Sequence, residues 1–235
     1  MVRNPILVTA ETTVETSQQV RDYLLCQRCE VRFQQNGEDW LMRNGPFRRD
    51  GRFPLRDALQ QSTPGETIPI GVLYTAPFDP GFDVHKLIYF GASVFWRSSV
   101  HHWNDSKKLM TPAKLADDLE EDLRLYLLDK AAFPSSVLFL LSITASKPLQ
   151  HFNHPGPMTP NTPAKTDITG VAFNIPGIQF RMFTGGFPSH MRANSAAVPP
   201  HKVLLTDRVE QEIHSRAAEM STDSKVVGTL ASKKF

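Results

Sequence analysis

Two cysteines, Cys26 and Cys29, are the only thiols among 235 residues, and they stand at Cys-x2-Cys spacing. Two thiolates so placed can share one divalent ion, and a reducing compartment favours metal over a disulfide. They follow the apolar run Tyr23-Leu24-Leu25 and precede a helical pattern, which is the setting of a zinc knuckle. Zinc takes four ligands, so two more must come from elsewhere. His151 and His154 are candidates, although His-x2-His is tighter than the spacing of zinc fingers. A two-fold axis that brings two cysteine pairs together is the other route, and it makes zinc the staple of a homodimer. Two further readings stay open: a pair of packed cysteines, and a redox dithiol. The second lacks the strand-helix-strand surroundings of a thioredoxin-like site.

Two clusters of cations could hold anions. Ser93, Arg97 and His101 are four apart on an apolar helical segment, so they form one polar stripe. Arginine grips phosphate or carboxylate through two parallel hydrogen bonds, so Arg97 and His101 could line an anion pocket. The plainer reading pairs Arg97 with an acid of the next helix, Asp118 or Asp122. His102 points about 100° away from the stripe. Arg43, Arg48, Arg49, Arg52 and Arg56 gather after the cysteine helix, offset by Asp50 and Asp57. Arg48, Arg49 and Arg52 are the residues expected to touch phosphates of DNA or RNA, the alternative being solvated loop arginines. The acidic run from Asp117 to Asp122 reads as a water-facing helix side. No phosphate-binding glycine loop, Gly-x-Ser-x-Gly elbow or His-Glu-x2-His helix is present.

The segment Asp22-Tyr23-Leu24-Leu25-Cys26-Gln27-Arg28-Cys29-Glu30-Val31-Arg32-Phe33, continuing through Asn36-Gly37-Glu38-Asp39-Trp40, resembles a group of uncharacterised bacterial proteins related to HNH endonucleases. The stretch from Tyr89 to Trp103 resembles the helix that follows in that group. The resemblance implies that Cys26 and Cys29 are half of a treble-clef zinc site, whose other half is an upstream Cys-x2-Cys with a histidine segment. These 235 residues hold no cysteine before Cys26 and no histidine before His85, and Glu30 stands where active enzymes often carry histidine. Phosphodiester hydrolysis needs a base for water and a cation for the phosphate, and no partner base accompanies Glu30. A degenerate or absent nuclease centre is therefore expected.

These residues must be positioned by a fold that the rest of the chain specifies. Apolar residues make up 40% and charged residues 21%, enough for a core, and 26 basic against 24 acidic residues exclude a strongly basic tail. The apolar run at Ile6-Leu7-Val8 is too short for a signal peptide, and the uncharged run from Leu87 to Trp96 is half of a membrane span. A soluble, cytoplasmic protein is expected. Strand propensity is high at Ile6 to Thr9, a helix is expected from Glu30 to Arg43 until Gly45-Pro46 stops it, and a short amphipathic piece covers Phe53 to Gln60. Residues 62–80, with four prolines, read as loop. Asp83 caps a buried central helix, Thr111-Pro112 opens a second helix lined by Leu115, Leu119, Leu123 and Leu127, and Val137 to Thr144 reads as a fully buried strand. A proline-rich loop from Pro148 to Pro163 precedes a hairpin at Ile168 to Thr184 that turns at Pro176-Gly177. A helix from Val203 to Met220 and a frayed end complete the chain.

The expected class is α+β, with a zinc-knuckle-like element at 1–60 packed on a body at 61–235 as one unit. Its leading function is a zinc-associated, HNH-related module that binds nucleic acid. The competing classes are an interaction protein, metal-free or zinc-stapled, and an enzyme built around Arg97 and His101.

Overall fold

The computed structural model describes residues 6–8, 13–15, 24–46, 51–101, 113–148, 152–158 and 167–222. The expected frayed end and Thr111-Pro112 lie outside them. The fold is α+β. Strands β1 (Ile6–Val8) and β2 (Thr13–Glu15) form an antiparallel pair. Behind them, α1 (Gln27–Phe33), a wide π-helical turn (Gln34–Glu38) and α2 (Asp39–Asn44) run as one continuous rod that stops at Gly45-Pro46, as the sequence predicts. Helix α3 (Pro54–Gln61) starts on proline and buries Leu55 and Leu59, four apart on one side.

Next come β3 (Glu66–Ile68) and β4 (Gly71–Thr75), then the central helix α4 (Val84–Val100) and α5 (Asp117–Leu127). Asp83 caps α4, its side chain accepting from the N–H groups of His85 and Lys86. The remaining elements are β5 (Leu138–Ile143), β6 (Gly156–Met158), β7 (Thr169–Ile175), β8 (Ile178–Thr184), the short α6 (Ser189–Arg192), β9 (Lys202–Leu205) and α7 (Arg208–Thr222). Seven strands make one sheet in the order β3-β4-β9-β5-β8-β7-β6. Its pairs are antiparallel except β5 with β9, which run parallel through Ser142–Leu204 and Ile143–Leu205.

Helix α4 lies on one face of this sheet. Phe90 meets Phe173 and Phe180, and Phe95 meets Phe139 and Phe173, all with ring centroids 5.0–6.2 Å apart. The opposite side of α4 is covered by α1 and α5. Phe33 packs edge-on against Tyr89 and Trp96, and the Tyr89 hydroxyl donates to the Leu127 carbonyl at 2.8 Å. Gly37, in the π-helical turn, lets the two helices touch: a Cβ there would stand 3.0–3.1 Å from the Cβ, Cα and N of Phe90. A smaller apolar cluster of Leu138, Ile168, Phe183 and Phe187 sits on the other sheet face.

Several expectations need correction. Residues 62–80 carry the β3–β4 hairpin, because the prolines fall before, between and after the two strands and remove no donor from the ladder, with β3 at the sheet edge and β4 paired on both sides. Val203, Leu204 and Leu205 belong to a strand, since burial on both sheet faces gives a continuous apolar run that mimics a helix start. Within the proline-rich segment, β6 pairs with β7. Helix α5 begins at Asp117, so Leu115 is buried from the approach to the helix. No helix among the described residues is long and apolar enough to cross a membrane.

Candidate functional site

Cys26 takes the N-cap position of α1 with extended backbone (φ −72°, ψ 157°). Its carbonyl accepts from the N–H groups of Cys29 and Glu30 at 2.9 and 3.0 Å. The spacing therefore puts both thiols in the first turn of a helix that follows a two-stranded hairpin. Cys26 is exposed, Cys29 is half-buried, and both are free thiols. A thiol is a poorer cap than a hydroxyl or carboxylate, and no side-chain cap hydrogen bond forms. The Cys29 backbone N–H, the Cys29 thiol and the Arg28 N–H nevertheless face the Cys26 sulfur, and together they hold its thiol below the ordinary range. Cys29 is pushed the other way, first by its contact with the Cys26 sulfur and then by burial. Of the two, Cys26 is the more accessible thiol and the one set against the N–H groups that open the helix.

Cys29 borders a cavity of about 130 Å³ walled by Leu25, Phe33, Trp96, Leu127 and Leu128, together with Arg124. The Arg124 guanidinium is held by both carboxylate oxygens of Glu121 at 2.7 Å, so the cavity contributes apolar contact and no unpaired charge. Trp96 and Leu127 are the neighbours that the sequence hides. Their apolar stripes mark core faces on two later helices without indicating which thiol those faces border.

Among the described residues, no group of three or more His, Cys, Asp or Glu side chains comes together as metal ligands. His154 therefore does not complete a site with Cys26 and Cys29. Its Nδ1 is 3.0 Å from the Pro155 carbonyl just before β6, and burial lowers its pKa. His151 lies outside the described residues, as do Arg48 and Arg49.

Arg97 is an ion-pair residue, with a partner other than the one expected. Its Nη2 donates to Glu38 Oε1 at 2.6 Å, and the guanidinium lies over the Phe33 ring at 5.6 Å. Asp118 and Asp122 are exposed on α5. Helix α4 turns its Arg97 side toward the π-helical turn and a different side toward α5. Of the expected polar stripe, Ser93 and Arg97 do meet, at 3.3 Å between Nη2 and Oγ, while His101 caps the end of α4 and its N–H donates to the Arg97 carbonyl at 3.3 Å. Arg43 donates to its own helix at the Asp39 carbonyl. Arg56 donates to the Ser146 carbonyl and to Asp57, and it covers the Phe53 ring. Arg52 is exposed. The acidic run is not uniformly wet. Glu120 accepts from the Ser99 hydroxyl and from Lys114, and Ser99 in turn accepts the Leu115 N–H at 2.8 Å.

Comparison of the chain with protein-family models, curated proteins and solved structures gives no match.

Proposed function

We propose that this chain is a zinc-associated module related to HNH endonucleases, in which Cys26 and Cys29 supply two thiolates and nucleic acid is the partner. One observation supports this most: Cys26 caps α1 and Cys29 lies in its first turn, so the two thiols open a helix together, as the Cys-x2-Cys of a zinc knuckle does. The donor set fits zinc as half a site, its low-pKa member exposed and its second thiol anchored by the cavity wall. The other ligands come from outside the described residues or from a second copy of the chain. Bound zinc supplies a structural crosslink that ties the first turn of α1 to whatever bears those ligands. The sequence offers Glu30 no partner base, so the nuclease centre of the proposed module is taken as degenerate and its role as nucleic-acid binding. The exposed Arg28, Arg43 and Arg52, with Arg48 and Arg49, are the phosphate-contact candidates.

The test is zinc per chain by elemental analysis, on the untagged protein and on Cys26→Ser/Cys29→Ser. About one zinc per chain, or about half in a dimer, lost in the double variant, supports the proposal. Metal-free, folded protein overturns it. Binding to DNA and RNA over a salt series, with Arg48→Ala/Arg49→Ala/Arg52→Ala alongside, tests the second part, since each phosphate contact steepens the salt dependence.

The placement of the two free thiols, Cys26 exposed and Cys29 half-buried in the same helical turn, favours a second reading, a dithiol that exchanges with partner disulfides. The Cys26 thiolate attacks one partner sulfur and expels the other as a thiolate. Cys29, losing its proton, then attacks the Cys26 sulfur and expels the second partner thiolate, so both electrons end on the partner. Oxidised glutathione added to the metal-free protein tests this reading: it requires a Cys26–Cys29 disulfide, and Cys29→Ser must instead trap a mixed disulfide at Cys26.

A further inference from the structure

The sheet face turned away from α4 carries a largely buried cation that forms no ion pair among the described residues. Arg181 of β8 stands opposite Leu140 of β5 and Ala172 of β7. Side chains alternate along a strand, so the same face presents Ser142 of β5, Gln179 of β8 and Asn174 of β7, which are register partners one step along. This is a polar patch in the middle of a sheet: Ser142 is 1% exposed and Gln179 7%.

The guanidinium is poorly satisfied. Arg181 Nη2 donates to Ser142 Oγ at 3.1 Å, while Nε is fully out of water and has no acceptor. Among the described residues Arg181 forms no ion pair. The charges that face it, Glu212 and Arg208 of α7, act in opposite directions and are bonded to each other at 3.2 Å, so α7 brings a self-neutralised pair. Burial disfavours the charge, yet arginine keeps its proton at neutral pH. A partly desolvated guanidinium with one hydroxyl as acceptor is costly, and water can fill a hydrogen bond without balancing the charge. An oxyanion does both, because a carboxylate or phosphate matches the planar fork of donors. Ala172, with a small side chain, stands directly across the strand pair from Arg181.

We propose that Arg181 anchors a binding site for a small oxyanion, a carboxylate or a phosphate, on the sheet face beneath α7, with Ser142 and Gln179 as accompanying donors. The sequence conceals it, since Gln179 and Arg181 are the off-face positions of a strand whose Ile178, Phe180 and Met182 read as core. The site is independent of the cysteine pair.

The experiment titrates the full chain with inorganic phosphate and, separately, with acetate, each against chloride at equal ionic strength, by calorimetry and thermal unfolding. One of the two is expected to bind saturably and raise Tm, and which one does so tells a phosphate source from a carboxylate source. Arg181→Gln should weaken that binding at least tenfold with an unchanged circular dichroism spectrum, and Ser142→Ala severalfold. Wild-type affinity in Arg181→Gln, or no stabilisation of the wild-type chain by either anion beyond chloride, overturns the proposal. If Arg181→Gln does not fold, Ser142→Ala and Gln179→Ala decide: weaker binding in both supports the site, and wild-type affinity in both overturns it.

Discussion

Gly91, in the middle of α4, sets two effects against each other. Alanine in a helix interior is better than glycine by about 0.5–1 kcal/mol, so propensity alone predicts that Gly91→Ala stabilises the chain. Packing predicts the reverse. A Cβ at this position would lie 2.6 Å from Phe139 Cζ and 2.7 Å from Phe180 Cδ1, about 1 Å inside the favourable carbon–carbon separation. Neither ring has room to retreat. Phe139 is held edge-on by Phe95 at 6.2 Å and Phe133 at 5.6 Å, and Phe180 stacks on Phe173 at 4.7 Å with 10° between planes. Overpacking a dense core costs about 1–3 kcal/mol, so the net effect is destabilisation by about 1–2 kcal/mol. Urea unfolding should show a lower midpoint at unchanged slope. Gly186→Ala, with nothing within 4 Å of its would-be Cβ, is the control and should be near neutral. Phe139→Leu should cost less in the Gly91→Ala background than in the wild type, because the smaller side chain relieves the clash. A midpoint at or above wild type for Gly91→Ala would refute the packing argument.

Three other outcomes follow from contacts of α4 and from the β6 strand. Arg97→Met and Glu38→Gln should each destabilise by about 1 kcal/mol, with a coupling of about 0.5–1 kcal/mol in the double-mutant cycle, because the pair is about a quarter to a third exposed. Additive singles would mean that the 2.6 Å contact contributes nothing. Ser99→Ala should cost about 2 kcal/mol by thermal unfolding, since it strands the buried Leu115 N–H and removes a donor to Glu120. Burial holds the pKa of His154 below its unfolded value, so the unfolded chain binds the extra proton first. Stability should therefore fall as pH drops below about 6.5 and level off below the folded-state value, and His154→Gln should lose that component. Equal pH profiles for the two proteins would exclude His154 as its source.

The α+β class, the capped central helix, the α1–α2 rod and the β7–β8 hairpin are all legible, because each combines a period with a local stop signal: Asp83 as cap, Gly45-Pro46 as terminator, Pro176-Gly177 as turn. Strand β9 is illegible for a physical reason. Its Val203-Leu204-Leu205 run is apolar because both sheet faces are covered, and a run without alternation looks like the start of the helix that follows it. The cysteine pair announces itself by spacing alone. Its asymmetry does not, since that depends on which thiol caps the helix and which one meets Trp96 and Leu127. Arg97 was readable as a cation needing a partner, but Glu38 as that partner depends on a π-helical turn that no periodicity signals.

The position of β9 also bears on how the chain is made. It pairs with β4 on one side and β5 on the other, yet it is the last strand of the sheet to be synthesised. On the ribosome, β3 and β4 form one short ribbon and β5 to β8 another, each with an inner edge open. About 130 residues separate Thr75 from Leu205, a wait of roughly 7–26 s at 5–20 residues per second. Through that interval the edge of β4 is open, and the edge of β5 joins it for the last 60 or so residues, roughly 3–12 s, so apolar strand edges stand ready to accept the wrong partner. Any fragment ending before Lys202 keeps them exposed for good, so premature termination should yield aggregates where the finished chain yields a closed sheet.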